Sequence, residues 1–354
     1  MSALVSVTIV TTNDGRHIRR CVDSLFAQDY GPMEIIFVDN ASTDGTRELL
    51  GSLSARVRVH WNNTVQGFCA AQNQAIALAK GEWILCLNPD TQLEPNFVSE
   101  LVRAGELHPR IGMVCPKILR MTAEGAVADP PLLDSTGAYF TPWLRHHDRG
   151  SQQPDLGQFD RPEYVFGYTG AAVLFRRSMI EDASIDGEFM DEDFFFYRED
   201  ADVSWRAQLL GWKCVYTPKA VGYHVRRVLE TNRQTLSAKI NMHSTKNRFL
   251  MRIKNMTWGV YGKVFWPATF RDLAIFSYVL LRERSSLPGL WFIPRNWKRT
   301  WAKRRWIQAR RCVGDEYVRS WFNYNPTAAP LETEFAGKLE DINSRSGVLS
   351  SHQT

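Results

Sequence analysis

The first 120 residues alternate between buried-strand and amphipathic-helix signals, and a polar cluster closes most of the strands. Val5-Ser-Val-Thr-Ile-Val10 reads as a buried strand. Ile18, Cys21, Val22, Leu25 and Phe26 then recur at i, i+3, i+4, i+7 and i+8, one face of a helix opened by Asn13 or Asp14. Segments 34–38, 57–60 and 83–87 read as further strands, with helices over 43–50 and 68–79 between them. This alternation predicts an α/β domain around a mostly parallel sheet, and such sheets bind ligands beyond the carboxyl ends of their strands. Thr11-Thr-Asn-Asp14, Asp39-Asn40 and Asn88-Pro-Asp90 stand at those ends.

The later pattern is less regular. Residues 121–162 are rich in Pro, Gly and Asp and predict a long excursion of the kind that carries binding loops. Segment 164–175 reads as one strand interrupted by Gly167 and Gly170, 201–210 as a helix stopped at Gly211, and 214–216 as a short strand. Helical, basic and aromatic sequence begins near 237, and a small polar tail follows 323.

Charge divides the chain. Net charge is +5, yet between Arg226 and Arg311 stand 20 Lys and Arg against 3 Asp and Glu, with six of the twelve tryptophans. A concentrated positive field calls for an anionic partner. Nucleic acid is not expected, because no zinc-finger or RNP-like pattern accompanies the cations. Trp297 and Trp301 share a helix face after Ile293, the pattern of a basic helix lying on an anionic membrane surface. The alternative is that these helices pack on the rest of the chain. No run of about 18 uninterrupted apolar residues occurs, so no spanning helix is expected. The start lacks the basic flank of a signal peptide, so a cytoplasmic location is expected. Six scattered cysteines without a CxxC pair read as reduced core thiols.

Four constellations carry chemistry. Asp39 leaves a strand end, where a carboxylate accepts hydrogen bonds from a base or ribose; Ser42, Asp44 and Gly45 supply turn and cap chemistry behind it. Asp90, after Asn88 and a stiffening Pro89, is placed to ligate a hard divalent cation, although Asn-Pro-Asp is also an ordinary turn. Residues 189–202 pack six carboxylates around an aromatic run, and crowding near apolar surface raises carboxylate pKa values toward those of a general base. Glu199 and Asp200 open the helix that follows. His224 is a candidate second metal ligand, or a hydrogen-bonded structural histidine. A dinucleotide-dependent dehydrogenase is not indicated, since the first turn holds one glycine where Gly-x-Gly-x-x-Gly is needed.

Taken in order, the opening strand, 38–46, 63–73, Gly81 through Asn88-Pro-Asp-Thr91, Gly170-Ala171, Tyr197-Arg-Glu-Asp-Ala-Asp202, Arg206, Gly211 and His224 resemble the inverting family 2 glycosyltransferases of the GT-A fold. Asn-Pro-Asp in place of Asp-x-Asp is similar to the rhamnosyltransferase-like branch. The resemblance implies a GT-A domain over 1–225, nucleotide-binding to about 120 and acceptor-binding beyond; composition and charge then mark a basic aromatic helical region over 226–322, expected at a membrane surface, and a flexible tail over 323–354. It assigns Thr11, Asn13, Asp39, Asn40, Asn73, Asn88 and Asp90 to the nucleotide sugar, and Gly170, Ala171 and Arg206 to the sugar pocket. Asp90 and His224 would hold Mg²⁺ or Mn²⁺, and Asp200, with Glu199 as second choice, would be the base. The implied reaction moves a sugar, rhamnose from dTDP-rhamnose first, to a saccharide or lipid-diphosphate-linked saccharide in bacterial cell-surface polysaccharide synthesis such as O-antigen. The enzyme would work on the inner face of the cell membrane. UDP- or GDP-sugars are the alternative donors, and a catalytically inactive carbohydrate- or membrane-binding relative is the non-enzyme alternative. Asn88 replaces the first acid of the family's motif, leaving one fewer anionic metal ligand.

Overall fold

The computed structural model describes residues 2–141, 143–226 and 237–322, so the tail expected over 323–354 lies outside the described residues. The predicted alternation is present as β1 (Val5–Thr11), α1 (Gly15–Phe26), β2 (Met33–Asn40), α2 (Thr46–Ser52), β3 (Arg58–Asn62), α3 (Phe68–Leu78) and β4 (Trp83–Leu87). The periodic face of α1 is the buried one, with Ile18, Cys21, Val22 and Leu25 inward. Each such fully buried aliphatic side chain contributes roughly 1.5–3 kcal/mol of burial free energy.

Then follow β5 (Thr91–Leu93), α4 (Phe97–Gly105), β6 (Ile111–Arg120), β7 (Leu133–Ser135), β8 (Ala138–Phe140), β9 (His146–Asp148), β10 (Glu163–Val165), β11 (Ala172–Arg176), α5 (Arg177–Ala183), α6 (Glu199–Leu209) and β12 (Lys213–His224). The main sheet has the order β10-β12-β6-β11-β4-β1-β2-β3, with β5 on β12 and β7 on β6; β8 and β9 form a separate hairpin. Strands β3, β2, β1 and β4 are parallel, β6 is parallel to β12, and β11 runs antiparallel to both β4 and β6.

Two expected strands differ in the structure, and one strand was not expected. The single interrupted strand over 164–175 is two strands, β10 and β11, in different parts of the sheet. Gly167 lies between them because a Cβ there would meet Ser204 Oγ of α6 at 2.1 Å. The ten-residue strand β6 gave no clear signal because Pro116 and Lys117 break its apolar run. A register shift in β12 between Thr217 and Val221 falls opposite these residues, and Lys117 is paired with Asp155 (2.9 Å) and Asp160 (2.6 Å). The short strand at 214–216 extends twelve residues, which carries His224 to the edge where β5 begins.

The C-terminal helices are α7 (Ala238–Asn255), α8 (Trp258–Leu281), α9 (Leu287–Arg295), α10 (Trp297–Ala309) and α11 (Asp315–Phe322). Much of their charge is turned inward. Lys254 bonds Asp202 at 2.9 Å and also Asp191, and Lys303 reaches Asp191 at 2.6 Å, Glu188 at 3.1 Å and Asp193 at 3.3 Å. The acidic run at 188–202 and the basic C-terminal stretch are therefore partners within one molecule. Of the two tryptophans that suggested membrane contact, Trp297 is exposed and stacks on Trp301 5.2 Å away, while Lys303 and Arg304 of the same helix face inward.

Helix α8 is the outward apolar element. Val260, Val264, Ala268 and Val279 pack inward, whereas Trp266, Phe270, Leu273, Leu280 and Leu281 are exposed. Among the described residues it is the one helix long and apolar enough to cross a membrane, and most of it is not buried. Lys263, Arg271 and Asp272 punctuate the helix, so its sequence holds no uninterrupted apolar run.

Candidate active site

The polar clusters lie together at the carboxyl edge of β1, β2 and β4, because parallel register aligns Thr11 with Asp39 and Ile9 with Leu87. Asp39 is fully buried. Its Oδ2 accepts from Arg47 Nε (2.7 Å) and Ser42 N (3.3 Å), while Oδ1 has no hydrogen-bond partner. An unfilled buried acceptor is costly, so this atom marks a place where a ligand N–H or O–H belongs.

Several expected contact residues are otherwise engaged. The Thr11 hydroxyl donates to Asp14 Oδ2 at 3.1 Å. Asn13 Oδ1 accepts from Thr43 N at 2.7 Å, tying the first turn to the second. Asn40 exchanges both hydrogen bonds with the Gln66 backbone, each at 2.8 Å. Asn73 does the same with Met190, at 2.8 and 2.9 Å, clamping α3 to the acidic loop. These amides shape the pocket walls. Arg206 is completely buried, its guanidinium spent on the carbonyls of Ala183 and Phe189, so it does not face a sugar pocket. Gly170 meets open space where its Cβ would stand, and the Ala171 carbonyl accepts from Asn88 N at 2.9 Å.

Pairing of β5 with the end of β12 sets Thr91 opposite His224, which brings Asp90 beside the imidazole. Asp90 Oδ1 lies 3.3 Å from His224 Nε2, and Nδ1 lies 2.9 Å from Asp134 Oδ2. Asp134, on β7, is fully buried and is also reached by Arg226 (3.3 Å) and Arg120 (3.4 Å). Burial pushes its carboxyl up, but the bond and charge of His224, then Arg226 and Arg120, hold it below the usual range. His224 is raised to about 9: burial lowers it, and Asp134 and Asp90 more than offset this.

The base candidates sit in the first turn of α6. Phe195, Tyr197 and Arg198 have φ of 68°, 66° and 68°, a left-handed run that non-glycine residues rarely adopt and that costs of order 1–3 kcal/mol each. Asn247 of α7 holds this turn, its Nδ2 lying 2.7–2.9 Å from the carbonyls of Phe194, Phe196 and Tyr197. Asp200 Oδ1 accepts from Ala201 N at 2.7 Å and lies 4.0 Å from His146 Nε2. Burial, then Asp148, pushes Asp200 up to about 6; burial, then Asp200, pushes Glu199 up to about 8. Glu199 Oε2 is buried without a partner. Strand β9 joins the two halves of the site, since His146 stands by Asp200 while Asp148 binds Arg226, which binds Asp134.

Sequence reading missed Arg47, Asp134, His146, Asp148 and Asn247. Arg47 follows Asp39 by eight residues on the next helix and was within reach of a spacing argument. The three from β7 and β9 lie in the excursion, where no periodicity placed them.

A buried carboxylate with an unfilled oxygen at the carboxyl edge of a parallel sheet, an Asp–His pair and a raised carboxylate at the head of α6 fit a nucleotide-dependent transferase. The description "Glycosyl transferase family 2" matches residues 6–183, half of the chain. The chain belongs to that family, and it is a glycosyltransferase. It is 28% identical over 311 residues to the N-acetylglucosaminyl-diphospho-decaprenol L-rhamnosyltransferase of Mycobacterium tuberculosis, covering 80% of this chain and 94% of that protein. Among solved structures, GalNAc-T7 with UDP, GalNAc and Mn²⁺ superposes with TM-score 0.55 at 18% identity, over 71% of this chain, which spans about half (48%) of that one. The mannosyltransferase PcManGT from Pyrobaculum calidifontis, with GDP-Man and Mn²⁺, gives 0.51 at 16% identity over 92% of this chain and 88% of its own. The fold is GT-A, as the sequence resemblance implied.

Proposed function

We propose that this glycosyltransferase moves rhamnose from dTDP-rhamnose, with inversion, onto a saccharide carried by a lipid diphosphate at the inner face of a bacterial membrane. The observation that carries the reading is the shared sheet edge: the unfilled Asp39 Oδ1 for the nucleoside beside the Asp90–His224 pair for the diphosphate. The rhamnosyl donor and lipid-diphosphate acceptor are supported by the name of the mycobacterial relative.

In the reaction, Asp200 accepts the proton of the acceptor hydroxyl as that oxygen bonds to the anomeric carbon and the bond to the nucleoside diphosphate breaks. His146 and Arg198 fix the surroundings of the carboxylate, and Gly170 leaves room for a sugar. An oxygen and an imidazole nitrogen 3.3 Å apart, with the second ring nitrogen held by a buried carboxylate, suit a borderline-hard divalent cation. Asp90 and His224 would hold Mg²⁺ or Mn²⁺, which when bound neutralises the leaving diphosphate. The test is nucleoside diphosphate release from a panel of dTDP-rhamnose, UDP- and GDP-sugars with a prenyl-diphosphate-linked saccharide. The expected result is release from dTDP-rhamnose that chelator abolishes; release from a UDP- or GDP-sugar alone contradicts the donor.

The outward face of α8 supports membrane contact. One side of this helix packs on the protein, so lipid does not surround it, and the exposed Trp266, Phe270 and Leu273 suit an interfacial position. Exposed Lys263, Arg282, Arg284, Arg295 and Lys298 flank it, each worth about 1 kcal/mol at an anionic surface. The chain is expected to co-sediment with anionic vesicles at low salt, and Trp266→Glu with Phe270→Glu to stay in the supernatant. Equal sedimentation of the two would remove α8 as the contact.

A further inference from the structure

Arginines gather around Asp200 and His146. Arg198 Nη1 bonds His146 Nδ1 at 3.0 Å, and its Nε donates to the Ser244 carbonyl at 3.0 Å. Arg271 of α8 donates to the Trp143 carbonyl at 2.7 Å, just before β9. Arg248 of α7 is 8% exposed, and among the described residues no carboxylate forms an ion pair with it. Its electrostatic neighbours are Arg198, Arg271 and Arg252 against a single acid, Asp272, which Arg252 already holds at 2.6 and 2.8 Å. Burial, then Arg198 and Arg271, pushes the Arg248 guanidinium well down from its ordinary range. A guanidinium keeps its proton in proteins, so crowding of this kind is relieved by an anion.

An apolar groove adjoins the cluster. It encloses about 230 Å³ between α7, α8 and α10 and is walled by Phe249, Met256, Trp258, Tyr261, Trp297 and Trp301. Arg252 links the two, lining the groove while holding Asp272. A water-soluble nucleotide has no use for such a groove; an anion bearing a hydrocarbon chain does.

We propose that Arg248, Arg271 and Arg198 bind the diphosphate of a polyprenyl-linked acceptor, and that its first isoprene units lie in the aromatic groove. The proposal rests on the transferase reading above and deepens it. Asp200 and Arg198 meet opposite nitrogens of the same imidazole, His146, at 4.0 and 3.0 Å, so base and diphosphate site lie within reach of one acceptor. The three arginines belong to the cap of α6, to α7 and to α8, whereas Asp39, Asp90 and His224 belong to the sheet edge, so donor and acceptor phosphates have separate cradles.

Farnesyl diphosphate is the probe, titrated calorimetrically into the full chain saturated with dTDP and Mg²⁺ so that the donor site is filled. It is expected to bind at least about tenfold tighter than inorganic pyrophosphate, and Arg248→Gln to weaken it about thirtyfold while dTDP affinity stays within about twofold. Arg271→Gln, at a half-buried position that leaves the core intact, is expected to weaken it about fivefold. Farnesyl diphosphate binding unchanged in both variants, equal affinity for pyrophosphate, or a parallel loss of dTDP affinity would each overturn the proposal. A chain that binds dTDP but no farnesyl diphosphate loses this inference alone; one that binds no nucleoside diphosphate loses the transferase reading with it.

Discussion

Asp200→Asn is expected to lower sugar transfer by about 10²–10⁴-fold, the usual contribution of a positioned general base, while nucleotide–metal affinity persists. Asparagine keeps the acceptor for Ala201 N–H and the shape of the side chain, so the loss falls on kcat. The same group sets the pH dependence. A base works deprotonated, and Asp200 is pushed up to about 6 by burial and Asp148, so kcat/KM is expected to fall as pH drops through about 6. Steady-state rates of both proteins between pH 5 and pH 8 are the check. Wild-type turnover in the asparagine variant, or a flat acid limb, would remove Asp200 from the chemistry.

Asp191→Ala is expected to destabilise the fold by about 3–5 kcal/mol, the range for breaking a buried ion pair from one side. Burial pushes this carboxyl up, but Lys254 and Lys303 on either side outweigh it and hold it well below its ordinary value. Without it two buried ammonium groups lose their shared partner; Asp202 still faces Lys254, and Glu188 and Asp193 still face Lys303. The substitution also loosens α7 from the acidic loop, and α7 carries Asn247, which holds the left-handed turn before Asp200. Activity is therefore expected to fall along with the denaturant midpoint. A loss below about 1 kcal/mol would mean that the cluster is solvated and idle.

The fold was legible where burial imposes a period. Strands β1 and β4 and helix α1 each put nearly every apolar residue on a buried face, and each stands within a residue or two of its expected place. Strand β6 was not legible, because a proline and a lysine sit in it and their compensation, a bulge in β12 and two distant aspartates, is tertiary. At the site, Asp39 and Asp90 were legible as carboxylates after strands, Asp200 as one at a helix start and His224 as an imidazole after a strand. Asp134 and His146 were not, because a three-residue strand inside an irregular excursion leaves no pattern. The wall amides make the complementary point. Asn40 and Asn73 carry groups that fit a ligand and a backbone equally well, and only the folded chain shows Gln66 and Met190 taking them. The charge division was visible as arithmetic, but its main partner turned out to be the acidic run of the same chain.

The measurement that bears most directly on single displacement by Asp200 is the configuration of the glycoside formed. Product made from dTDP-rhamnose and a prenyl-diphosphate-linked saccharide is read at its anomeric proton and carbon by NMR before any rearrangement. The expected result is configuration opposite to the donor's. Retained configuration would require a second displacement and an intermediate that Asp200 acting as a base does not supply, and it would contradict the mechanism.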